Sequence, residues 1–76
     1  MPHIIVKMYP AKSEAQKQQI ADEVTKAIMS ATGHGPDPIS VAIEEVQPSD
    51  WVEAVFRPDI LAKPETIYKK PGYDPL

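Results

Sequence analysis

Residues 12–28, KSEAQKQQIADEVTKAI, decide the fold of this 76-residue chain. Ser13 followed three residues later by Gln16 is the capping-box pattern that begins a helix. Apolar side chains then recur at helical spacing on one face: Ile20, Val24, Ala27, Ile28 and Ala31. Gly33 follows, and glycine is the residue best suited to the end of a helix. The segment therefore predicts one amphipathic helix over residues 14–31.

Two strand-like runs flank this helix. Residues 3–9, HIIVKMY, and residues 39–46, ISVAIEEV, are rich in β-branched side chains and alternate with a period of two. Because a long helical connection joins the two runs, the strands are expected to be parallel, with a right-handed crossover. The sequence thus predicts an α/β fold, a small β-α-β subunit with a two-stranded parallel sheet.

The C-terminal part is divided into short pieces, since most of the nine prolines lie in the second half of the chain. Residues 47–56, QPSDWVEAVF, predict a turn and a short helix with Asp50 as its N-cap. The Arg57-Pro58 pair is expected to interrupt that helix, and Pro64 suits the first position of another helical turn. Short C-terminal helical segments are therefore expected.

The length of the chain predicts a single domain over residues 1–76 and an oligomer. A domain of this size buries only about 60% of its unfolded surface and is marginal alone. The chain has no cysteine, so no disulfide can stabilise it. Two strands do not make a stable sheet by themselves. We therefore expect a homo-oligomer in which subunits pair their sheets, a dimer in the first place and a hexamer as the alternative.

Composition argues against several classes of function. The net charge is −3, with 8 basic and 11 acidic residues, and nothing resembles the basic surface of a nucleic-acid-binding protein. No signal peptide and no apolar run of the roughly 20 residues needed to cross a membrane is visible, so a cytoplasmic protein without a membrane partner is expected. No glycine-rich phosphate loop or metal-ligand spacing occurs, and neither a cofactor nor a metal is expected.

Pro2 is the candidate reactive residue of the chain, and its position has two interpretations. Proline is tolerated at the first position of a strand, where it needs no catalytic role. If Met1 is removed, however, Pro2 carries a free secondary amine that can act as a base or a nucleophile. An apolar pocket would disfavour the cation of this amine and lower its pKa toward neutrality.

Three stretches carry a resemblance to a known family. Residues 2–28, the run SVAIEEVQPSDW at 40–51 and the terminal YKKPGY at 68–73 occur in an order and spacing that resemble the 4-oxalocrotonate tautomerase superfamily, in particular its small bacterial PptA-type members. The resemblance implies a keto-enol tautomerase without cofactor or metal, with Pro2 as general acid and base. Its expected substrates are small molecules, 2-hydroxydienoate or phenylpyruvate-like enols and 2-keto acids.

The resemblance also implies roles for residues around Pro2. Lys12 lies where the best-known members carry a carboxylate-binding arginine, and Ala42 lies where their second substrate-binding arginine occurs. With that cation absent, a monoacid or an aromatic keto acid is expected rather than a dicarboxylate. Trp51 corresponds to an aromatic residue that lines the pocket. Arg57, the only arginine, either replaces the missing cation or pairs with Glu53 one turn earlier.

Two alternative functions remain open. A dehalogenase or hydratase of the same superfamily would need further arginines and a carboxylate that activates water, and the chain has a single arginine. A non-catalytic oligomeric scaffold would keep the fold without using Pro2. Removal of Met1 distinguishes the catalytic alternatives from the scaffold, because a peptide bond to Met1 leaves the proline nitrogen without a basic lone pair.

Overall fold

The predicted β-α-β order is present in the computed structural model, which describes residues 1–76. Strand β1 is His3–Met8, helix α1 is Glu14–Thr32 and strand β2 is Ser40–Glu45. The two strands are parallel, in a register that runs from His3 opposite Ser40 to Met8 opposite Glu45. The predicted α/β fold with a two-stranded parallel sheet is confirmed.

The capping signals of α1 act as predicted. The Ser13 hydroxyl accepts a hydrogen bond from the Gln16 backbone N–H at 3.1 Å, and the Gln16 side chain accepts one from the Ser13 N–H at 2.9 Å. Gly33 ends the helix with a φ of 79° and donates its N–H to the Met29 carbonyl. A residue other than glycine would be strained at this φ, which explains why the helix ends within one residue of its predicted end.

The sheet has one face toward α1 and one face away from it. Val41 and Ile43 line a surface depression together with Lys17 and Ala21 of the helix, so their side of β2 faces α1. Side chains of residues in register point to the same side of a sheet. The opposite side, called the open face below, therefore carries from β1 and β2 the residues His3, Ile5, Lys7, Ser40, Ala42 and Glu44.

The buried core of the chain is small. Val55 and Phe56 are the only buried apolar residues, each about 5% exposed. Helix α1 has no buried residue, and its predicted apolar stripe is only half-buried at Ile20, Val24 and Ile28. The hydrophobic faces of the β-α-β unit are thus left largely accessible in a single chain.

Two compact units divide the chain, Met1–Glu45 and Val46–Leu76. The first is the β-α-β unit, and the second contains a 3₁₀ turn at Pro48–Asp50, a π-helix at Val52–Leu61 and another 3₁₀ turn at Pro64–Thr66. The turn that begins at Pro64 agrees with the prediction. The single domain over residues 1–76 stays a prediction.

The helix of the second unit differs from the predicted one. Its N-cap is Trp51 rather than Asp50, and Pro58 lies inside it instead of ending it. In an α-helix a proline ring clashes with the carbonyl four residues earlier. The π-helix has hydrogen bonds five residues apart, as from the Ala62 N–H to the Arg57 carbonyl at 3.0 Å. This wider turn separates the ring from that carbonyl, so the predicted interruption at Arg57-Pro58 is wrong.

Tyr73 connects the C-terminal tail to the π-helix. Its hydroxyl accepts a hydrogen bond from the indole N–H of Trp51 at 3.1 Å. Its ring packs against Phe56 with 5.9 Å between the centroids. The tail is therefore held by one polar and one aromatic contact at the same residue.

Candidate active site

Pro2 lies directly before β1 and takes part in the sheet. Its carbonyl accepts a hydrogen bond from the Ser40 backbone N–H at 3.2 Å, which adds one bond to the ladder before His3. The Pro2 residue is half-buried, whereas Met1 is fully exposed. The peptide bond between them is accessible to an aminopeptidase, and its cleavage would leave a secondary amine at the end of an ordered strand.

His3 and Ser40 form a side-chain hydrogen bond beside Pro2. The Nδ1 atom of His3 lies 2.6 Å from the Ser40 hydroxyl oxygen, on the open face of the sheet. The alternation of β1 predicts that the His3 side chain lies on the sheet face opposite to that of Pro2 and Ile4. It does not identify Ser40 as the partner of His3. The register of β1 against β2, which brings together residues 37 positions apart, is the only signal that could have found this pair.

Lys12 lies at the other end of β1, where the chain turns toward α1. It lines an open groove of about 390 Å³ along the helix with Gln16, Gln19, Ile20, Glu23 and Val24. Lys12 is exposed and takes part in none of the ion pairs of the chain. Its ammonium group is therefore available to an external carboxylate.

The backbone just before Lys12 is unusual. Ala11 has a φ of 123°, a conformation that residues with a side chain rarely adopt. Such backbone geometry costs roughly 1–3 kcal/mol and occurs preferentially at functional sites. The strained residue lies in the connection between β1 and α1, directly before Lys12.

One chain does not bring Pro2 and Lys12 together. The six residues of β1 span roughly 16 Å, at about 3.3 Å for each residue. Pro2 precedes this strand, while the start of α1 is held at its far end by the Lys17 ammonium, 2.7 Å from the carboxylate of Glu45. Since Glu45 is in register with Met8, Lys12 and Pro2 belong to opposite ends of the strand.

The titration of Lys17 is perturbed by two carboxylates. Its hydrogen bond to Glu45, and then the one to Glu14, raise the pKa of Lys17 above its ordinary value. A lysine with a raised pKa is charged throughout the neutral range, so this contact between α1 and β2 keeps its positive partner at and above neutral pH. Neither partner of Lys17 was predicted, although the spacing of three residues between Glu14 and Lys17 on a helix favours such a pair.

Trp51 and Arg57 belong to the second compact unit. Trp51 is half-buried and its indole is oriented by Tyr73. The Arg57 Nε donates to a Glu53 carboxylate oxygen at 2.8 Å, in an exposed pair of the kind that contributes little to stability. The ion-pair alternative for Arg57 is therefore present, and its role in substrate binding stays a prediction, as does that of Trp51.

The chain holds no group of three or more His, Cys, Asp or Glu side chains placed to bind a metal. None of its helices is both long and apolar enough to cross a membrane.

Comparison with known proteins gives the class. The family model for tautomerase enzymes matches residues 2–56, and the chain belongs to this family. Tautomerases are isomerases that act on small molecules, and this chain is one of them. The resemblance to the 4-oxalocrotonate tautomerase superfamily is confirmed.

Particular relatives match almost the whole chain. Tautomerase PptA of Cronobacter sakazakii is 41% identical over 75 residues, covering 97% of this chain and 99% of that protein. The solved structure of YwhB, a homologue of 4-oxalocrotonate tautomerase, matches with a TM-score of 0.59 and 35% identity, over 60% of this chain and 75% of the other. SAR1376 of methicillin-resistant Staphylococcus aureus matches with a TM-score of 0.60 and 36% identity, over 62% and 76% of the two chains.

Proposed function

We propose that Pro2, freed by the removal of Met1, is the general acid and base of a keto-enol tautomerase that needs no cofactor. The observation that carries this proposal is the placement of Pro2 in the strand ladder, half-buried, behind a fully exposed Met1. The proline ring removes rotation about φ, so the lone pair of the nitrogen has a defined direction. A base held in this way loses little entropy on meeting its substrate.

The reaction is a proton transfer from oxygen to carbon. The Pro2 nitrogen accepts the proton of the enol hydroxyl, and the electron pair of that O–H bond forms the carbonyl. The π electron pair of the C=C bond then takes the proton from the protonated amine at the far carbon, so that this C=C bond and the N–H bond break and a C–H bond forms. The amine returns to its neutral form, and no other reactant is consumed.

The proposed substrates are phenylpyruvate-like or 2-hydroxydienoate enols and the corresponding 2-keto acids. Lys12 would bind the carboxylate, as a single positive charge without the two-pronged geometry of arginine. On the open face, Ala42 lies beside Ile5, which is 48% exposed. A small side chain next to an apolar one suits the apolar part of a monoacid better than a second carboxylate. Trp51 would line the pocket, and Arg57 is a second candidate cation.

We propose that the active unit is a homo-oligomer, with a dimer as the first expectation and a hexamer as the alternative. The thin core supports association, because the apolar faces of the β-α-β unit are left accessible in one chain. The separation of Pro2 from Lys12 along β1 supports it independently. A substrate about as long as phenylpyruvate can contact both groups only if Lys12 comes from a second copy.

Ketonisation by chains with a free and a blocked Pro2 tests the proposed function. The processed chain, confirmed by intact mass, should accelerate ketonisation of phenylpyruvate enol, followed by the loss of its ultraviolet absorbance. The same chain carrying an N-terminal extension should be at least about 100-fold slower, the usual contribution of a general base. Equal rates would show that the Pro2 amine is not the base.

Mixing two inactive variants tests whether Pro2 and Lys12 act across subunits. Pro2→Ala and Lys12→Ala should each be strongly impaired alone. After unfolding and refolding together in equal amounts, random assortment into twofold dimers should restore about a quarter of the wild-type activity, because half of the dimers have one intact site of two.

Lys26→Ala is the matched control for Lys12→Ala. Lys26 is an exposed lysine of α1 that pairs with Glu23, so its replacement should leave the KM at the wild-type value. A mixture that is no more active than the average of its two components would contradict a shared site. Sedimentation of the wild-type chain as a monomer would contradict it as well.

A further inference from the structure

We infer that Ser40, acting through His3 and through its own backbone, is a positioning residue for the Pro2 amine. The inference rests on the proposed role of Pro2. Ser40 makes two contacts at the first positions of the ladder. Its backbone N–H donates to the Pro2 carbonyl at 3.2 Å, and its hydroxyl lies 2.6 Å from His3 Nδ1. One residue thus holds the carbonyl of the Pro2–His3 peptide and the side chain that follows it.

These contacts leave the Pro2 amine little freedom. Once Met1 is removed, the ring fixes the nitrogen relative to Cα, and the held peptide fixes Cα relative to the sheet. Rotation about the Cα–C bond of Pro2 is then the only remaining torsion between the nitrogen and the ordered strand. No ladder bond precedes this one, and the ends of chains fray unless they are tied down. Loss of the His3–Ser40 contact therefore loosens the reacting atom itself.

The same hydrogen bond contributes little to the stability of the fold. Both side chains are exposed, and an exposed hydrogen bond contributes little to stability because water replaces it when it breaks. A displacement of the reacting group by about 1 Å can nevertheless lower a rate as much as 100-fold. The effect on stability and the effect on rate can thus be separated. A purely structural role predicts a small change in both stability and rate. A positioning role predicts a change in kcat alone.

Valine and threonine at position 40 provide the test. Both are β-branched and similar in size, and only threonine keeps the hydroxyl. With processed protein and phenylpyruvate enol, Ser40→Val should lower kcat about 10-fold without changing KM, and Ser40→Thr should stay within about 2-fold of wild type. The midpoint of thermal unfolding should be the same for the two variants. Equal kcat values for the two variants would overturn the inference.

Two variants of His3 make the test independent of any folding defect at position 40. The amide of His3→Asn lies near the former Nδ1 and can still meet the Ser40 hydroxyl, whereas His3→Gln carries its amide near the former Nε2. The inference expects His3→Asn to keep most of kcat and His3→Gln to lose about as much as Ser40→Val. The reverse order would mean that His3 acts through Nε2 on the substrate, and would overturn positioning through Ser40.

Pro2→Ala, assayed in parallel, separates the inference from the proposed function. If Pro2→Ala is inactive while the two Ser40 variants are equal, only the positioning role fails. If Pro2→Ala is as active as wild type, the proposed function fails and the inference fails with it. The pH dependence adds a further check. Ser40→Val should lower the rate by the same factor at every pH and leave unchanged the pH range in which the rate falls.

Discussion

Pro2→Ala should lower kcat/KM for enol ketonisation by about 100-fold or more, the usual contribution of a general acid-base group. Alanine is also small enough for Met1 to be removed, so the variant still begins with an amine. That amine is primary and rotates freely about φ, whereas the proline nitrogen is held by its ring. The loss therefore measures what the direction and chemistry of a secondary amine contribute.

Pro36→Ala is the matched control for this substitution. Pro36 is exposed in the loop between α1 and β2, and its replacement should leave kcat/KM within about 2-fold of wild type. If Pro2→Ala and Pro36→Ala are equally active, the base is another group. The stability of Pro2→Ala, measured by thermal unfolding, should be close to that of wild type. The backbone carbonyl at position 2 is retained and can still accept the hydrogen bond from the Ser40 N–H.

The pH profile identifies the base by a second route. A proline amine in apolar surroundings has a pKa lowered toward neutrality, and only its neutral form accepts a proton. The rate should therefore fall as pH decreases through the range just below neutral. A rate that falls only below about pH 4, where carboxylates titrate, would identify a carboxylate as the base.

The β-α-β unit was predictable because its signals are local. The alternation of β1 and β2, the Ser13–Gln16 capping box and Gly33 each act within a few residues, and the structure agrees with all of them. The π-helix was not predictable in the same way. Whether a helix uses hydrogen bonds four or five residues apart depends on packing around it, and Pro58 in isolation is a signal to end a helix.

The candidate site was predictable only in part, for a related reason. The position of Pro2 behind Met1 predicts a candidate base, and the family resemblance implies that Lys12 binds an anion; both roles stay predictions. Their separation follows from the length of β1 and from the contact between Lys17 and Glu45, which is a tertiary feature. The His3–Ser40 pair depends on the register of two strands that are far apart in sequence. The sequence and the resemblance thus provide candidate groups, and the sheet determines which of them lie close together in one chain.

Phe56→Ala should destabilise the chain more than any other single truncation, by about 3–5 kcal/mol. Phe56 is one of only two buried apolar residues and packs against the ring of Tyr73. Domains of this size have a free energy of unfolding of roughly 4–11 kcal/mol, so the substitution removes a large share of it. The midpoint of thermal unfolding should fall by about 15–30 °C, measured at one fixed protein concentration because the proposed association would add to the stability.

Leu61→Ala is the matched control, because Leu61 lies at the end of the same π-helix but is 47% exposed. It loses little buried area and should shift the midpoint by only a few degrees, about 1 kcal/mol or less.

Trp51, the single tryptophan, gives a local readout. Loss of the Phe56 ring frees Tyr73, and with it the acceptor of the indole N–H, so Trp51 fluorescence should shift to longer wavelength before global unfolding. Equal midpoints for Phe56→Ala and Leu61→Ala, with unchanged fluorescence, would mean that this small core does not hold the second unit together in solution.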